Sequence, residues 1–380
     1  MKKLIYISID PVATSRRAIN QINTALDSGF SVEIITVKNN GASLFKGKKG
    51  VKINYIRQNY TKGVLRFAEF NFKLFLLLLH NNFDLLICRG LWVFPGIIPI
   101  KILKKFNLIY DAHEYFAGHT HFDNKPIKRG IWLFVERIAM RISDALITVS
   151  EPIAEQYVKD YPHIKRIFVI RNLPDRNLFH PYNDVKKQEK EKKKAKDTVK
   201  TVVFSGYLLS GRALHQIIKA FSYINDEHIK LLIIGEGILR NELNQLTNDL
   251  KLTHRISFKD MVSNNEIVPL LSNYHLGLSL IEADCLNRRF ALPNKFFEYI
   301  AAGIPLLGSD IITQKVYIDK YQVGMYLNSL NAQDIARAIM QMLADKKNYK
   351  RWKQNCVKAA MELNWEKESL KLKKIYELFN

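Results

Sequence analysis

Short apolar runs alternate with helix-forming stretches along most of the chain, and this alternation constrains its fold most strongly. Residues 5–9 and 31–37 have the length and β-branched content of buried strands, and residues 15–27 between them carry apolar side chains at helical spacing. Strand–helix–strand units of this length predict parallel, doubly wound sheets. The alternation stops near residue 180 and restarts at residue 201, so we predict two Rossmann-like α/β domains in tandem.

The break between the two halves has a composition of its own. Residues 184–197 contain seven lysines and no apolar side chain larger than valine, which predicts a solvated linker or a surface insertion. We therefore predict four parts: an N-terminal domain, a charged linker, a C-terminal domain and a final helix, over residues 1–180, 181–200, 201–362 and 363–380. Because ligands of open α/β sheets bind beyond the carboxyl ends of the strands, we expect the two domains to face each other across a substrate cleft.

The net charge of +22 and the pI of 9.7 indicate an anionic partner. Nucleic acid, anionic lipid headgroups and a phosphorylated substrate are the three classes that fit. The sequence has no aromatic RNP pattern, zinc finger or helix-turn-helix signature, so nucleic acid is disfavoured. Of the remaining partners, an anionic membrane surface is favoured first and a charged nucleotide substrate second. The alternative is that the surface is merely rich in lysine and has no anionic partner.

Cysteine usage and hydropathy indicate the compartment. The three cysteines are far apart in the sequence, which fits a reducing environment, and the pair His119 and His121 lacks a third ligand, so no metal site is expected. The first residues lead straight into a strand pattern without a signal-peptide core, and the apolar run 74–79 is too short to span a membrane. We expect a cytoplasmic protein, peripheral at most on the inner face of the plasma membrane.

Residues 292–310 predict a helix followed by a buried parallel strand. Pro293 suits the helix start and Gly303 suits an αL cap at its end. Lys295 and Glu298 project from the first turns, where backbone N–H groups favour phosphate. Lys295 could add positive charge there and Glu298 could accept bonds from vicinal sugar hydroxyls. Alternatively, Glu298 complements the helix dipole and Lys295 is a solvated side chain.

Two further loops of the second half follow predicted strands. One contains Gly206 and Gly211 and ends on Arg212, which lets backbone approach a diphosphate beside a guanidinium. The other opens at Gly235 with a G-x-G turn, where a base or ribose could lie against bare backbone. Ordinary strand–helix turns use glycine too, but the coincidence of the loops predicts a nucleotide-diphosphate site. The absence of a Walker A sequence disfavours ATP-type phosphoryl transfer.

Polar residues also follow two strands of the first half. Arg16 and Arg17 open a predicted helix, where they could meet an anion or be surface arginines. Another predicted strand is followed, within four positions, by three polar residues: Asp111, His113 and Glu114. Histidine is the side chain best suited to proton handling near neutral pH, and the alternative is a polar turn bonded to nearby backbone.

Together these motifs resemble the GT-B glycosyltransferases, specifically the large retaining group called glycosyltransferase family 4. The resemblance covers essentially the whole chain and is carried by residues 110–114, 149–151, 170–175, 204–207, 232–237, 293–303 and 364–366. It implies a GT-B fold and retaining transfer of a sugar from a nucleotide-sugar donor without a metal. The donor would be a UDP- or GDP-sugar, and the acceptor a glycan or lipid-linked molecule in surface polysaccharide synthesis. The last helix would cross back to the N-terminal domain.

The resemblance also implies roles for single residues. In the C-terminal domain Glu298 would bind the donor ribose, and Arg212 and Lys295 would meet the diphosphate beside Gly206 and Gly235.

In the N-terminal domain His113 would lie near the transferring sugar, next to Asp111 and Glu114. Its role would be positioning or polar stabilisation, not that of a nucleophile. The acceptor would bind to this domain, and Arg16 and Arg17 are predicted on the acceptor side.

The chain departs from the family pattern at two positions. The family often has two glutamates separated by seven residues, the second at the position of Glu298. Phe290 stands at the first, so that role is lost or has moved to Glu282 or Asp284. A second frequent family residue, an arginine, is replaced by Tyr207. This variant branch leaves two other hypotheses: an inactive nucleotide-sugar-binding or membrane-surface protein, and a nucleotide-sugar epimerase on the same fold.

Overall fold

The computed structural model of the chain describes residues 1–12, 15–37, 45–60, 62–118, 125–179 and 199–380. These residues form two compact units: unit 1 contains Met1–Asn172 and Lys367–Asn380, and unit 2 contains Leu173–Glu366. The lysine-rich stretch 184–197, predicted to be a linker, lies outside the described residues, as does the pair His119 and His121.

Unit 1 is built around a parallel sheet of seven strands in its described residues, here called sheet A. The strands are β1 (Lys3–Ser8), β2 (Ser31–Val37), β3 (Val51–Ile56), β4 (Leu85–Arg89), β5 (Asn107–Asp111), β6 (Ala145–Thr148) and β7 (Ile167–Val169). The helices between them are α1 (Arg16–Asp27), α2 (Gly63–Leu79), α3 (Phe94–Leu103), α4 (Pro126–Ile142) and α5 (Glu151–Asp160). The spatial order β3-β2-β1-β4-β5-β6-β7 reverses direction after β1, as a doubly wound fold requires.

Unit 2 repeats this plan around sheet B, a parallel sheet with the order β10-β9-β8-β11-β12-β13. Its strands are β8 (Lys200–Ser205), β9 (Ile229–Ile234), β10 (Ile256–Lys259), β11 (Leu276–Ser279), β12 (Leu306–Ser309) and β13 (Gly324–Leu327). Its helices are α6 (Leu214–Ala220), α7 (Arg240–Asp249), α8 (Ile267–Leu271), α9 (Leu286–Arg289), α10 (Asn294–Ala301), α11 (Ile312–Tyr321), α12 (Ala332–Ala344) and α13 (Lys346–Ala360). The two doubly wound parallel sheets confirm the predicted α/β fold class.

The strands are apolar because helices cover both faces of a parallel sheet. In β1 the side chains of Leu4, Ile5, Tyr6 and Ile7 are all fully buried, so consecutive residues on opposite faces are both in the core. A second core in unit 2 surrounds Phe204 of β8. The polar side chains considered below therefore lie at the last residues of the strands or in the loops that follow them.

The stretch predicted as a capped helix and strand folds as expected. Helix α10 begins after Pro293, and Gly303 adopts a φ of +70°, the left-handed conformation that glycine favours. The Gly303 N–H donates to the carbonyl of Ile300 at 3.0 Å and the Ile304 N–H donates to that of Tyr299 at 3.1 Å. These two bonds are a Schellman motif, which ends the helix and directs the chain into β12.

The last helix, α14 (Trp365–Glu377), begins at the end of unit 2 and continues in unit 1. Within unit 1 its Glu368 carboxylate accepts a bond from the Arg171 guanidinium at 2.6 Å. The Tyr376 hydroxyl donates to the carbonyl of Gln21 at 3.2 Å. These buried contacts attach the C-terminal segment to α1 and to the end of β7.

Candidate functional site

Polar residues meet at the carboxyl edge of sheet A. Ser8 of β1 is the register partner of Arg89 of β4, and Arg89 is the partner of Asp111 of β5. The Arg89 guanidinium donates to Ser8 Oγ at 3.4 Å and lies 3.9 Å from the Asp10 carboxylate. Sequence reasoning missed Arg89, although it is the first polar residue after an apolar strand, which is the signal that could have found it.

Asp111 and Arg17 form a buried ion pair. Arg17 Nε donates to both carboxylate oxygens of Asp111 at 3.0 Å, and Arg17 Nη1 donates to the carbonyl of Ile170 at 2.6 Å. Burial alone would raise the pKa of the Asp111 carboxyl, but the charge and hydrogen bonds of Arg17 hold it below its ordinary value. Asp111 is thus ionised at neutral pH and braces β5 against α1. A direct part of either residue in catalysis or acceptor binding stays a prediction.

His113 lies beside this pair and close to β4. A Cβ placed on Gly90, the residue after β4, would lie 3.8 Å from His113 Cε1. His113 Nδ1 is buried and has no hydrogen-bond partner among the described residues. Burial, and then the positive charge of Arg89, lower the pKa of the His113 imidazole. The ring is therefore neutral at physiological pH and can exchange a hydrogen bond with a bound hydroxyl.

The other predicted residues of unit 1 lie around this edge. Arg16 is buried at the start of α1, and the Glu114 side chain is exposed. The Tyr157 hydroxyl accepts a hydrogen bond from the Phe116 N–H at 3.3 Å and lies 3.1 Å from the Glu114 carbonyl oxygen. Tyr157 of α5 therefore fixes the backbone of the loop that carries His113.

The hydroxyl of Tyr157 is itself bonded to a buried carboxylate, that of Glu136. Glu136 of α4 accepts hydrogen bonds from Tyr157 at 3.2 Å and from Tyr161 at 2.9 Å. Burial raises the pKa of Glu136 to about 7, and the two tyrosine hydroxyls lower it only in part. Glu136, Tyr157 and Tyr161 were not singled out in the sequence, because their spacing along two helices matches ordinary core positions.

The predicted residues of unit 2 meet at the carboxyl edge of sheet B. A Cβ added to Gly235, whose φ is +152°, would lie 1.9 Å from the carbonyl oxygen of Gly206. Only glycine fits there, so the loops after β8 and β9 touch through bare backbone. A Cβ on Gly206 would lie 3.2 Å from Arg212 Nη1 and 3.9 Å from Lys295 Nζ. Both cations therefore lie close to Gly206.

Lys295 is a buried ammonium without an anion bonded to it. The residue is 5 % exposed, and its Nζ has no hydrogen-bond partner among the described residues. Nζ lies 3.2 Å from the ring centroid of Phe204, an attractive cation–π contact. Burial and then the charge of Arg212 hold the pKa of Lys295 well below its usual range, and Glu298 opposes them only in part. Isolated buried charges are costly, so this site is suited to an anionic ligand.

Tyr299 holds the helix that carries Lys295 and Glu298. Its hydroxyl accepts from the Ser205 N–H at 3.1 Å and lies 3.2 Å from the carbonyl of Leu278. A Cβ on Gly277 would lie 2.4 Å from the Tyr299 ring, so a glycine in β11 makes room for it. Sequence reasoning missed Tyr299, because a buried aromatic on a helix is usual in any core. Glu298 is only 8 % exposed, one residue before this anchor.

The segment before Phe290 contains an ion pair that involves Asp284, one of the two carboxylates considered in place of the first glutamate. Phe290 ends α9, and the preceding Arg288 makes an ion pair with Asp284. The Arg288 guanidinium also reaches the carbonyl of Ser210 at 3.3 Å and covers Gly211, where a Cβ would lie 2.1 Å from it. Asp284 is thus paired with a cation that lies next to the Arg212 loop, and sequence reasoning did not single out Arg288.

No group of three or more His, Cys, Asp or Glu side chains stands close enough to hold a metal ion in the part of the chain that the structure describes. None of the described helices has the length and apolar character needed to cross a bilayer.

Family comparisons identify the class of protein. Residues 14–177 match the family description "Glycosyltransferase Family 4", and residues 185–358 match "Glycosyl transferases group 1". With the two parallel-sheet units, these matches make the chain a glycosyltransferase of the family 4 type with a GT-B fold. The expected fold and enzyme class are confirmed at this level. None of the curated protein sequences matches the chain significantly.

Solved structures agree on the fold. Sucrose-phosphate synthase from Thermosynechococcus elongatus has a TM-score of 0.80 at 15% identity, with 100% of this chain and 99% of that chain covered. Anabaena Alr3699/HepE in complex with UDP and glucose has a TM-score of 0.78 at 14% identity, with 99% and 100% covered. WaaG, a glycosyltransferase involved in lipopolysaccharide biosynthesis, has a TM-score of 0.74 at 14% identity, with 98% and 99% covered. At these identities the likeness concerns the fold alone.

Proposed function

We propose that the chain transfers a sugar from a UDP- or GDP-sugar to a glycan or lipid-linked acceptor, with retention of the anomeric configuration and without a metal. The observation that carries the proposal is the unpaired buried ammonium of Lys295, which converges with Arg212 on Gly206. Two cations at bare backbone beside a helix N-terminus suit the two phosphates of a nucleotide sugar. HepE, whose fold is similar, has been solved with UDP and glucose, which supports this donor class.

The residues of unit 2 bind and activate the donor in this proposal. Glu298 accepts hydrogen bonds from the ribose hydroxyls, and Gly235 lets the nucleoside approach the backbone. Arg212 and Lys295 hold the diphosphate and stabilise the charge that develops on it as the bond to the sugar breaks. Their charges take the place that a metal ion has in other nucleotide-sugar enzymes, which is why we propose transfer without one.

The transfer step needs no protein nucleophile. The acceptor hydroxyl oxygen bonds to the anomeric carbon on the face that the diphosphate leaves, and the electron pair of the broken bond goes to the phosphate oxygen. The hydroxyl proton passes to that same oxygen. We assign the neutral imidazole of His113 a hydrogen bond to the sugar or the acceptor, with burial and then the charge of Arg89 lowering its pKa, and with Asp111 ionised beside it. Glu114 remains a proposed catalytic residue beside His113, and Arg16 and Arg17 remain proposed acceptor-side residues.

Substitution of Glu298 tests the donor site. We expect Glu298→Ala to weaken UDP-sugar binding at least about tenfold, since a buried acceptor of two hydroxyl bonds is lost. Calorimetric titration with UDP and GDP measures this, and Glu362→Ala, an exposed glutamate of the same unit, is the matched control. Equal affinity of Glu298→Ala and the wild type would remove Glu298 from the site.

A donor panel tests the reaction itself. We expect transfer or slow hydrolysis of one nucleotide sugar, with turnover that persists in EDTA, and product mass and anomeric analysis give the sugar and the stereochemistry. The second candidate is a nucleotide-sugar-binding protein without activity, favoured by Phe290 at the position of the first glutamate. Tight UDP binding with no product from any donor would support it. A new epimer formed without acceptor would indicate an epimerase instead.

The cellular context is also a proposal. A cytoplasmic enzyme that meets its acceptor at the inner face of the plasma membrane fits a nucleotide-sugar donor, a lipid-linked acceptor and the net charge of +22. Surface polysaccharide synthesis is the pathway that this combination suggests. Fractionation of native cells at low and high salt would test the location independently of activity.

A further inference from the structure

The Tyr157 hydroxyl lies within hydrogen-bond distance of two acceptors. Its oxygen is 3.1 Å from the Glu114 carbonyl oxygen and 3.2 Å from Glu136 Oε1. The Phe116 N–H donates to the same oxygen at 3.3 Å. A phenol hydroxyl has a single proton to donate, so Tyr157 bonds either to the backbone of the loop that carries His113 or to the buried carboxylate.

The charge of Glu136 selects between these two acceptors. Its carboxylate is fully buried, and the groups that act on its charge include no cation. Oε2 accepts a hydrogen bond from the Tyr161 hydroxyl at 2.9 Å. Hydrogen bonds to an ionised acceptor are stronger than those to a neutral carbonyl. With Glu136 ionised, Tyr157 therefore donates to Oε1 and not to the loop.

Protonation of Glu136 reverses this preference. A proton on Oε1 is donated to the Tyr157 oxygen, and the Tyr157 proton then goes to the Glu114 carbonyl. A proton on Oε2 would instead be donated to Tyr161, whose hydroxyl has no acceptor other than Glu136 among the described residues. We therefore expect the proton on Oε1, because each donor then has an acceptor within the protein.

The groups that interact electrostatically with Glu136 are four tyrosines and one carboxylate: Tyr110 of β5, Tyr115 of the loop, and Tyr157, Tyr161 and Asp160 of α5. Burial raises the pKa of each tyrosine above its ordinary value, so these hydroxyls stay neutral. Asp160 is exposed and accepts the Tyr115 hydroxyl proton at 2.5 Å. Burial raises the pKa of Glu136 to about 7, so this carboxyl changes charge within the physiological range.

We propose that Glu136 is a positioning residue for His113: when protonated it directs the Tyr157 hydroxyl to the Glu114 carbonyl, and when ionised it withdraws that bond from the loop. The inference deepens the proposed function and rests on it, since His113 there bonds to the sugar or the acceptor. Glu136 acts only through Tyr157. Loss of one hydrogen bond should make displacement of the loop about fivefold more frequent, so turnover should fall as Glu136 ionises.

The amide resonance of Phe116 tests the relay without any substrate. Protein labelled with 15N-phenylalanine gives this resonance, and its loss in Phe116→Leu identifies it. We expect its chemical shift to titrate with a midpoint near pH 7, because the oxygen that it bonds becomes more negative when Tyr157 donates to a carboxylate. Glu136→Gln should abolish the titration, since its amide donates to Tyr157 at every pH.

The pH profile of turnover tests the positioning role. With the nucleotide sugar that the donor panel identifies, at saturation, the kcat of the wild type should fall about fivefold further between pH 6 and pH 8 than that of Glu136→Gln. Titrations at other residues affect both proteins and cancel in this ratio. At pH 6 the two kcat values should agree. Glu155→Gln, at an exposed glutamate of α5, is the matched control and should follow the wild type in both measurements.

A wild-type Phe116 amide that does not titrate, or one that titrates equally in Glu136→Gln, would overturn the relay. Parallel kcat profiles of the two proteins would overturn the positioning role, because a merely structural Glu136 leaves the pH profile unchanged. Absence of turnover with every donor, beside a titrating amide, would overturn the proposed function and with it the role at His113.

A second variant applies if thermal unfolding shows that Glu136→Gln is not folded. Tyr161→Phe removes a hydrogen bond to the ionised carboxylate, so the pKa of Glu136 should rise and the Phe116 midpoint should move to higher pH. An unmoved midpoint in this variant would assign the titration to another group and overturn the proposal.

Discussion

Lys295 is the residue on which the donor site most depends. Its amino group is buried against Phe204, and burial and then the charge of Arg212 hold its pKa well below the usual range of lysine. A bound diphosphate reverses this, because an opposite charge within a few ångströms favours the charged form. Binding of the diphosphate should therefore be coupled to uptake of a proton.

We predict that UDP affinity falls as pH rises, since the bound state holds more protons than the unbound state at Lys295. Lys295→Met should bind UDP about tenfold to a hundredfold more weakly at neutral pH and should lose part of this pH dependence. Calorimetry in buffers of different ionisation enthalpy measures the protons directly. Lys219→Met, an exposed lysine of α6, serves as the control. Wild-type affinity for Lys295→Met at every pH would exclude it from the site.

Single residues also show what could be predicted from the sequence and what could not. Lys295, Glu298, Gly206 and Arg212 were predicted because their types and loops suit phosphate and ribose, and the structure brings Lys295, Arg212 and Gly206 together. Arg17 was predicted for the acceptor, and the structure pairs it with a buried carboxylate that lies far along the chain. Such pairings depend on strand order, which no local pattern encodes.

At the scale of elements, Tyr157 of α5 contacts the loop that carries His113, and the Glu136 carboxylate of α4 accepts a hydrogen bond from that tyrosine. Glu136 is fully buried and accepts hydrogen bonds from two tyrosines, and its pKa is raised by burial from 4.5 to about 7. A raised acid pKa means that the folded state binds the proton more tightly than the unfolded state. The stabilisation is fully present below pH 4.5 and is lost as pH rises through about 7.

We predict that Glu136→Gln stabilises unit 1 at pH 8 by about 2 kcal/mol, because a neutral amide replaces a buried charge, and that the gain disappears near pH 5. Hydrogen exchange of the β5 and β6 amides at both pH values measures it. Glu155→Gln, on the exposed face of α5, should change stability by less than about 0.5 kcal/mol at either pH. A pH-independent effect of Glu136→Gln would contradict the assignment.

The elements themselves were largely predictable, and each exception has an identifiable cause. The strands in the middle of both sheets were predicted, since buried parallel strands carry continuous apolar runs. The edge strands β3 and β13 were missed: the exposed Lys52 and the half-exposed Asn54 interrupt the apolar run of β3, and β13 is only four residues long. Helix α3 was missed as well: it is apolar on all sides and contains Pro99, so it lacks an amphipathic pattern.

At the scale of the whole molecule, the predicted donor residues all belong to unit 2 and the predicted acceptor-side residues all belong to unit 1. Each unit has its own sheet and its own core. A ligand stabilises the unit that contains its site by an amount set by its concentration relative to Kd, about 2.7 kcal/mol at a hundredfold excess. Nucleotide binding should therefore be visible as selective protection of one unit.

We predict that UDP at a hundredfold excess over Kd slows hydrogen exchange of the β8, β9 and α10 amides by up to about a hundredfold, where exchange requires unfolding of unit 2. Amides of β1, β4 and β5 should change far less. Arg212→Ala/Lys295→Met should abolish the protection. Protection of sheet A alone would place the nucleotide at the Arg89 and His113 edge. Equal protection of both sheets would mean that the two units unfold as one cooperative body, because a ligand bound to one unit then stabilises both.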